Sequence, residues 1–188
     1  HQGPPRRGRS YGKHLQTYLN NLNALLPESK FKRCTLEEIV QNSSGVLFNN
    51  AGQVLNHILY FTQFQKPQIQ NHPHGRLKNA IEKQFGNFEK FQEIFEKQGI
   101  SLFGSGWVWL SLDASNHLII SQESNAGNPI TKNLHPIFTF DVWEHKYFSA
   151  DIAEQLASSY LSDTQNSPFD ALSEREMQVA MMVVNCIS

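Results

Sequence analysis

The segment FTFDVWEHKYF, residues 138–148, contains two residue types that bind metal ions. Asp141 and His145 are four positions apart, so a helical turn here would place carboxylate and imidazole on one face. Both groups suit divalent or trivalent metals, and bulky apolar residues surround them. A strand running into a helix, with both polar side chains facing water, would have the same spacing. The pair alone leaves both interpretations open.

The composition indicates a folded globular protein with no basic excess. Of 188 residues, 39% are hydrophobic and 18% are charged, and the net charge is −1. Nucleic acid is therefore not an expected partner, since no excess of positive charge is available to bind its phosphates. No apolar run approaches the length of a membrane span, so no membrane partner is expected either, and no signal peptide is visible. Only Cys34 and Cys186 could form a disulfide, which favours a reducing, cytoplasmic location.

Aromatic residues are unevenly distributed. All 3 Trp and most of the 13 Phe lie between residues 48 and 148, together with most of the 8 His. Aromatic side chains with interleaved histidine are typical of a polar site inside a dry wall, as in redox metal centres. An ordinary aromatic core has the same composition, and composition alone favours that simpler reading.

The first part of the chain should be helical. Residues 1–10, rich in Pro, Gly and Arg, predict a flexible arm. Residues 11–65 predict a helical domain, with one helix from Tyr11 to Pro27 and another over about 46–64. His14 and Tyr18 are one turn apart on the expected buried side of the first helix. Gln53 and His57 are one turn apart on the later one.

Residues 75–148 predict an α/β region. Leu77, Ile81 and Phe85 mark a helix ended by Gly86, and a second phenylalanine-rich helix should end at Gly99. A period of two then begins at residue 107, followed by the turn DASN and two more strand segments, HLIISQ and PIFTF. The expected fold is α+β: an N-terminal helical hairpin region, then an α/β region with a small three-stranded antiparallel sheet.

Five segments of the sequence resemble, in the same order, the motifs of one known family. In chain order they are YGKHLQTYLNNLN (11–23), FNNAGQVLNH (48–57), FGSGWVWL (103–110), SNAGNPI (124–130) and DVWEHKYF (141–148). Together they closely resemble the iron/manganese superoxide dismutase family. The resemblance implies that His57, Asp141 and His145 bind the metal. It also implies disproportionation of superoxide, the substrate, to dioxygen and hydrogen peroxide, which is an antioxidant activity.

The same resemblance assigns residues around the metal. Gln53 matches the amide that hydrogen-bonds the metal-bound solvent, and Tyr18 and His14 match the proton-relaying pair at the mouth of the substrate funnel. Glu144 matches a carboxylate that reaches the partner subunit, so a homodimer is expected. The remaining matches line the site or the dimer contact: Trp107, Trp109, Trp143 and Tyr147. Glutamine at position 53, with Ala126 and Gly127 in the later segment, resembles the branch that uses iron or tolerates either metal. Iron is therefore the expected cofactor, with manganese as the alternative.

Two departures from the family pattern stand out. The family's first, axial ligand is a histidine immediately before the segment matching YGKH, and here that position is Ser10. Either the serine hydroxyl or water could fill the place. After Phe148 the family pattern stops, and residues 149–188 form an atypical, helical C-terminal segment. Part of it, ALSEREMQVAMMVV, resembles the first effector helix of a response regulator, and ADIAEQLASSYL resembles the linker before it.

Three interpretations follow. The first is a metal-dependent superoxide dismutase. The second is a homologue of the same fold that binds metal weakly and is catalytically impaired. The third is a fragment of a transcription factor derived from a response regulator. The missing recognition helix and the net charge of −1 argue against the third.

Overall fold

The structure is a computed structural model that describes residues 8–63 and 73–142, with side chains from residue 14 onward. Five helices come first: α1 (Gly8–Leu25), α2 (Leu36–Asn42), α3 (Gly45–Thr62), α4 (Gly75–Phe85) and α5 (Phe88–Ser101). Three strands follow: β1 (Gly106–Leu112), β2 (Leu118–Ser124) and β3 (His135–Asp141). A short 3-10 helix, Pro129–Lys132, lies between β2 and β3. Trp143, Glu144, His145 and Tyr147 lie outside the described residues, as does the C-terminal segment.

Helices α1 and α2 both pack on α3. Leucines at the spacing of helical turns fill the interface, including Leu15, Leu19 and Leu22 from α1. The predicted capping box at α2 is present: the Thr35 hydroxyl accepts from Glu38 N–H, and the Glu38 carboxylate accepts from Thr35 N–H. These contacts make the N-terminal helices one packed unit.

Two helix ends differ from the sequence predictions. Helix α1 begins at Gly8 rather than Tyr11, so residues 8–10 belong to a helix and not to an arm. The prolines that would break a helix, Pro4 and Pro5, both precede Gly8. Helix α5 runs past Gly99 to Ser101, because Gly99 is buried inside it and Leu102 N–H donates to the Gly99 carbonyl. By contrast, α4 ends at Gly86 as predicted, with φ of 92°.

The strands form one antiparallel sheet in the order β2-β1-β3. The central strand β1 is buried on both faces. Val108 and Leu110 point to α4 and α5, whereas Trp107 and Trp109 pack with Tyr60 of α3. The sheet therefore lies between the N-terminal helices and the α4–α5 pair. Among the described residues, no helix is both long and apolar enough to cross a membrane.

Candidate metal centre

His57 and Asp141 meet between α3 and the end of β3. The Nδ1 atom of His57 lies 2.7 Å from the Gln53 carbonyl oxygen, one turn earlier in α3. A carbonyl oxygen only accepts, so Nδ1 carries the proton and Nε2 keeps its lone pair. That Nε2 faces the Asp141 carboxylate, with 4.0 Å between Nε2 and Oδ2. Both residues are 5% exposed.

Aromatic rings enclose the imidazole. The Trp107 ring meets it edge-on with 5.0 Å between centroids, and Tyr18 and Phe61 lie at 6.1 and 6.0 Å. Trp107 is also the cross-strand partner of Asp141, so this one β1 residue lies next to both His57 and Asp141. Trp109, two residues on, is completely buried behind it. Trp107 therefore lies against His57 and Trp109 packs beside Trp107, while Trp143 lies beyond the described part.

A cavity of about 290 Å³ opens from this pair. Its lining brings together six of the seven predicted site residues of the described part, all but Trp109, with three others that sequence reasoning did not single out. The nine are His14, Tyr18, Gln53, His57, Ser105, Gly106, Trp107, Asn125 and Asp141. His14 is exposed rather than on a buried side, and Tyr18 and Gln53 are half-buried. The cavity therefore has a buried floor at His57 and Asp141 and a wet mouth at His14.

Two of the three residues that sequence reasoning missed, Ser105 and Asn125, come from loops held to each other, and the third, Gly106, begins β1. Ser105 donates from its hydroxyl to the Asn125 side-chain oxygen at 3.0 Å, and Asn125 N–H donates to the Ser105 carbonyl at 2.9 Å. Asn125 has φ of 55°, in the left-handed region that asparagine tolerates better than most residues. The Asn-Ala-Gly run was a turn signal, but it did not say which side chain would reach the cavity.

The loop after β2 is also fixed to α3 beside the site. Asn56, fully buried, donates to the Gly127 carbonyl at 3.1 Å and accepts from the Asn128 amide at 2.8 Å. At Gly52 the loop comes so close that a Cβ would lie 2.4 Å from the Ala126 carbonyl oxygen. The neighbours of Gln53 and His57 in α3 thus hold the loop that forms one cavity wall.

The donors at the floor suit a transition-metal ion. A separation of 4.0 Å is too long for a hydrogen bond, and it is the upper limit for two donor atoms that each bind one cation at about 2 Å. An imidazole lone pair and a carboxylate are ligands that iron and manganese accept. Within residues 8–63 and 73–142, no group of three or more His, Cys, Asp or Glu converges as a metal site. The third expected ligand, His145, lies outside those ranges.

The position of the family's first ligand falls on α1. Ser10 belongs to this helix, one turn before His14, whose side chain lines the cavity. Residue 10, where the family resemblance expects the first ligand histidine, is therefore a serine within this helix.

Comparison with known proteins decides the family. Residues 9–65 match the alpha-hairpin domain of iron/manganese superoxide dismutases, and residues 73–166 match the C-terminal domain of the same enzymes. The chain belongs to the iron/manganese superoxide dismutase family. It is 56% identical over 138 residues to "Superoxide dismutase [Mn/Fe]" of Porphyromonas gingivalis, covering 73% of this chain and 72% of that protein. It is 51% identical over 139 residues to "Superoxide dismutase [Fe]" of Bacteroides fragilis, with the same coverage of 73% and 72%.

The predicted family and the α+β fold, with helical hairpin and three-stranded antiparallel sheet, are confirmed. The match to the C-terminal domain extends to residue 166, past Phe148, where the quoted motifs end. It therefore includes the stretch ADIAEQLASSYL, which was compared with a response-regulator linker. The resemblance of residues 171–184 to an effector helix lies outside the described residues and stays a prediction.

Proposed function

We propose that this protein disproportionates superoxide to dioxygen and hydrogen peroxide at a mononuclear iron site, with manganese as the alternative metal. The observation that carries the proposal is the His57–Asp141 pair, 4.0 Å apart at the floor of an aromatic-walled cavity, in a chain of this family. The curated relatives carry both metals in their names, which supports the same choice of cofactors.

The metal would be held by His57, Asp141 and, in this proposal, His145. When bound, it supplies a one-electron couple that accepts an electron from one superoxide and returns it to the next. His57 is prepared for this role by its hydrogen bond to the Gln53 carbonyl, which fixes both the tautomer and the plane of the ring. Asp141 contributes negative charge, which favours binding of a cation in either oxidation state.

The Gln53 carboxamide is proposed to hold a water molecule inside the cavity. Its side chain lines the cavity one turn before His57, and it is half-buried. A carboxamide both donates and accepts hydrogen bonds without ionising. It can therefore orient water beside the metal ligands and influence its acidity without adding charge to the site.

His14 and Tyr18 are proposed to admit protons and the anionic substrate. Formation of hydrogen peroxide consumes two protons, which must come from solvent. His14 is exposed at the cavity mouth, and the half-buried Tyr18 ring lies between the mouth and His57, 6.1 Å from its ring. Trp107 and Trp109, both buried, keep other water away from the floor of the cavity.

The quaternary structure and location belong to the same proposal. We place the protein in the cytoplasm as a homodimer, with Trp143, Glu144 and Tyr147 near the contact between subunits. The Phe103 side chain is 98% exposed, in the loop that leads to the cavity residues Ser105 and Gly106. We propose that this exposed aromatic side chain belongs to the contact with the second copy. Sedimentation velocity would test this, and a monomer at micromolar concentration would contradict it.

A second candidate function is that of an impaired homologue, which binds metal weakly and turns over little superoxide. Ser10 is the observation that favours it, because serine replaces the family's first ligand histidine. A site with fewer protein ligands holds its metal less tightly and in a less defined geometry.

One experiment separates the two candidates. The purified protein is reconstituted separately with iron and with manganese, its metal content is measured by mass spectrometry, and superoxide consumption is assayed on the same samples. Stoichiometric metal with activity proportional to that metal supports the dismutase. Substoichiometric metal, or bound metal with little activity, supports the impaired homologue. Absence of bound iron and manganese would refute both.

A further inference from the structure

Gln63, the residue after α3, forms two hydrogen bonds with one residue of the sheet. Its Nε2 donates to the Thr139 carbonyl at 2.8 Å, and its Oε1 accepts from the Thr139 N–H at 2.6 Å. Gln63 is 5% exposed and Thr139 is fully buried. The carboxamide thus pairs with the main chain of β3 as a neighbouring strand would.

These bonds close an open edge of the sheet. Among the described residues β3 is an edge strand, so the backbone groups of Thr139 that point away from β1 have no strand there to pair with. The Thr139 hydroxyl is engaged elsewhere, donating to the Val108 carbonyl at 3.1 Å. Without Gln63, the buried N–H and the buried carbonyl of Thr139 would lose these partners. A buried polar group that loses its hydrogen bond destabilises the fold more than one that water can reach.

The pairing joins the two elements that carry the proposed ligands. His57 lies in α3, fewer than two turns before Gln63, and Asp141 lies two residues beyond Thr139 in β3. Alternate residues of a strand share a face, so Thr139 and Asp141 are on the same side of the sheet. Their partners across the strand are Trp109 and Trp107, the two residues of the aromatic wall.

We propose that Gln63 is a positioning residue, whose carboxamide fixes β3 against α3 and thereby sets the separation of Asp141 from His57. The inference rests on the proposed function, in which these two residues bind one metal ion. Gln63 does not line the cavity, so in this proposal it acts through the backbone of Thr139.

The opposite edge of the sheet offers a matched control. Gln84 of α4 makes the same pair of bonds with Leu118 of β2: its Nε2 donates to the Leu118 carbonyl, and its Oε1 accepts from Leu118 N–H at 2.8 Å. Strand β2 carries neither of the two proposed ligands. Loss of the Gln84 pairing should therefore loosen an edge of the sheet without moving Asp141.

The test compares Gln63→Met with Gln84→Met, since methionine keeps the length of the side chain and removes both hydrogen bonds. The full-length chain is freed of metal with a chelator and titrated with Mn²⁺, and the signal of the free ion is followed by electron paramagnetic resonance. Amide hydrogen exchange is measured on the same metal-free samples.

We expect Gln63→Met to weaken Mn²⁺ binding about 10- to 100-fold, as for other residues that hold a metal ligand in place. It should also speed exchange at Thr139. We expect Gln84→Met to speed exchange at Leu118 and to bind Mn²⁺ as the wild type does.

Wild-type affinity in Gln63→Met would overturn the proposal, and so would an equal loss of affinity in Gln84→Met. If Gln63→Met does not fold, Gln63→Asn replaces it; this side chain stays polar but is too short for both bonds, and the same outcomes are expected. A wild-type chain that binds neither Mn²⁺ nor iron would refute the proposed function instead. The exchange data then decide whether Gln63 holds β3, and unchanged protection of Thr139 would refute that as well.

Discussion

The Nε2 atom of His57 lies 4.0 Å from the Oδ2 atom of Asp141, although one residue belongs to an N-terminal helix and the other ends the last described strand. Neither domain contains this pair on its own. The pair exists only because α3 packs on the tryptophan face of the sheet. A metal bound here would therefore also link the two domains of the fold, so that metal loading should stabilise the packing between them.

Removal of either side chain should abolish metal binding. We expect His57→Ala and Asp141→Ala to retain far less than stoichiometric iron or manganese, because each removes a donor that no neighbouring side chain can replace. The same outcome is expected for His145→Ala, which tests the third proposed ligand. Metal content after dialysis against a weak chelator is the measurement.

The hairpin turn provides the control for that prediction. His117 and Asp113 also form a histidine–aspartate pair, with 3.2 Å between Nδ1 and Oδ2, but it is largely exposed and outside the cavity. His117→Ala should keep the wild-type metal content. Stoichiometric metal in any of the three ligand variants would show that the proposed ligand set is incorrect.

Gln53→Glu should change redox behaviour while metal remains bound. A carboxylate beside the metal ligands adds negative charge, which stabilises the more highly charged oxidation state and lowers the reduction potential. We expect dismutase activity per bound metal to fall about 10-fold or more. Gln16→Glu, a change on the exposed face of α1 outside the cavity, is the control. Unchanged potential and activity in Gln53→Glu would place Gln53 outside the metal's surroundings.

Gly52→Ala should destabilise the protein, although alanine is the better helix former of the two residues. Alanine in a helix is favoured over glycine by about 1 kcal/mol. Here, however, the new methyl group would lie 2.4 Å from the Ala126 carbonyl oxygen, a backbone atom that cannot turn aside. We expect a net loss of about 1–3 kcal/mol in the free energy of unfolding, measured with urea. A gain in stability would show that the loop after β2 yields easily and is not fixed against α3.

Asp113, in the hairpin turn, should contribute to the stability of the fold in a way that depends on pH in the acid range. The His117 backbone N–H donates to its carboxylate, which lowers the Asp113 pKa below the usual 3.8. Because the folded pKa is the lower one, the stabilisation is present above the unfolded pKa and is lost as the pH falls through the folded pKa. Asp113→Asn keeps the acceptor but removes the charge. Its melting temperature should lie below the wild type's at neutral pH and approach it as the pH falls below the usual pKa of 3.8; a constant difference would contradict this.

The pattern of residue types predicted most of the fold, because local rules govern these elements. Periodicity located α3 to within two residues, and the glycine at 86 marked the end of α4. The alternation from Trp107 to Leu112 predicted a strand, which is also the central one. Gly99 misled because glycine ends a helix only where the backbone needs a positive φ, and here the helix is buried and continues.

The sequence did not reveal contacts made between distant segments. Gln63 and Gln84 have no periodic signature, yet each carboxamide pairs with the backbone of an edge strand. Asn125 enters the cavity wall through a left-handed turn, and its direction depends on the Ser105 loop. Such contacts follow from tertiary packing, so a one-dimensional pattern carries no sign of them.

Ser10→His should strengthen metal binding by about 10-fold or more, equivalent to ~1.4 kcal/mol. Residue 10 already lies in α1, one turn before the cavity residue His14, so a histidine there needs no ordering of a flexible segment. It would return an imidazole at the position of the family's first ligand, and a more complete ligand set binds metal more tightly. Arg9→His is the matched control, since one position along a helix turns the side chain by about 100°. Titration with Mn²⁺ and dismutase assays on both variants and the wild type are the measurements. Equal affinity and activity in all three proteins would mean that residue 10 is remote from the metal, or that another group already fills the axial place.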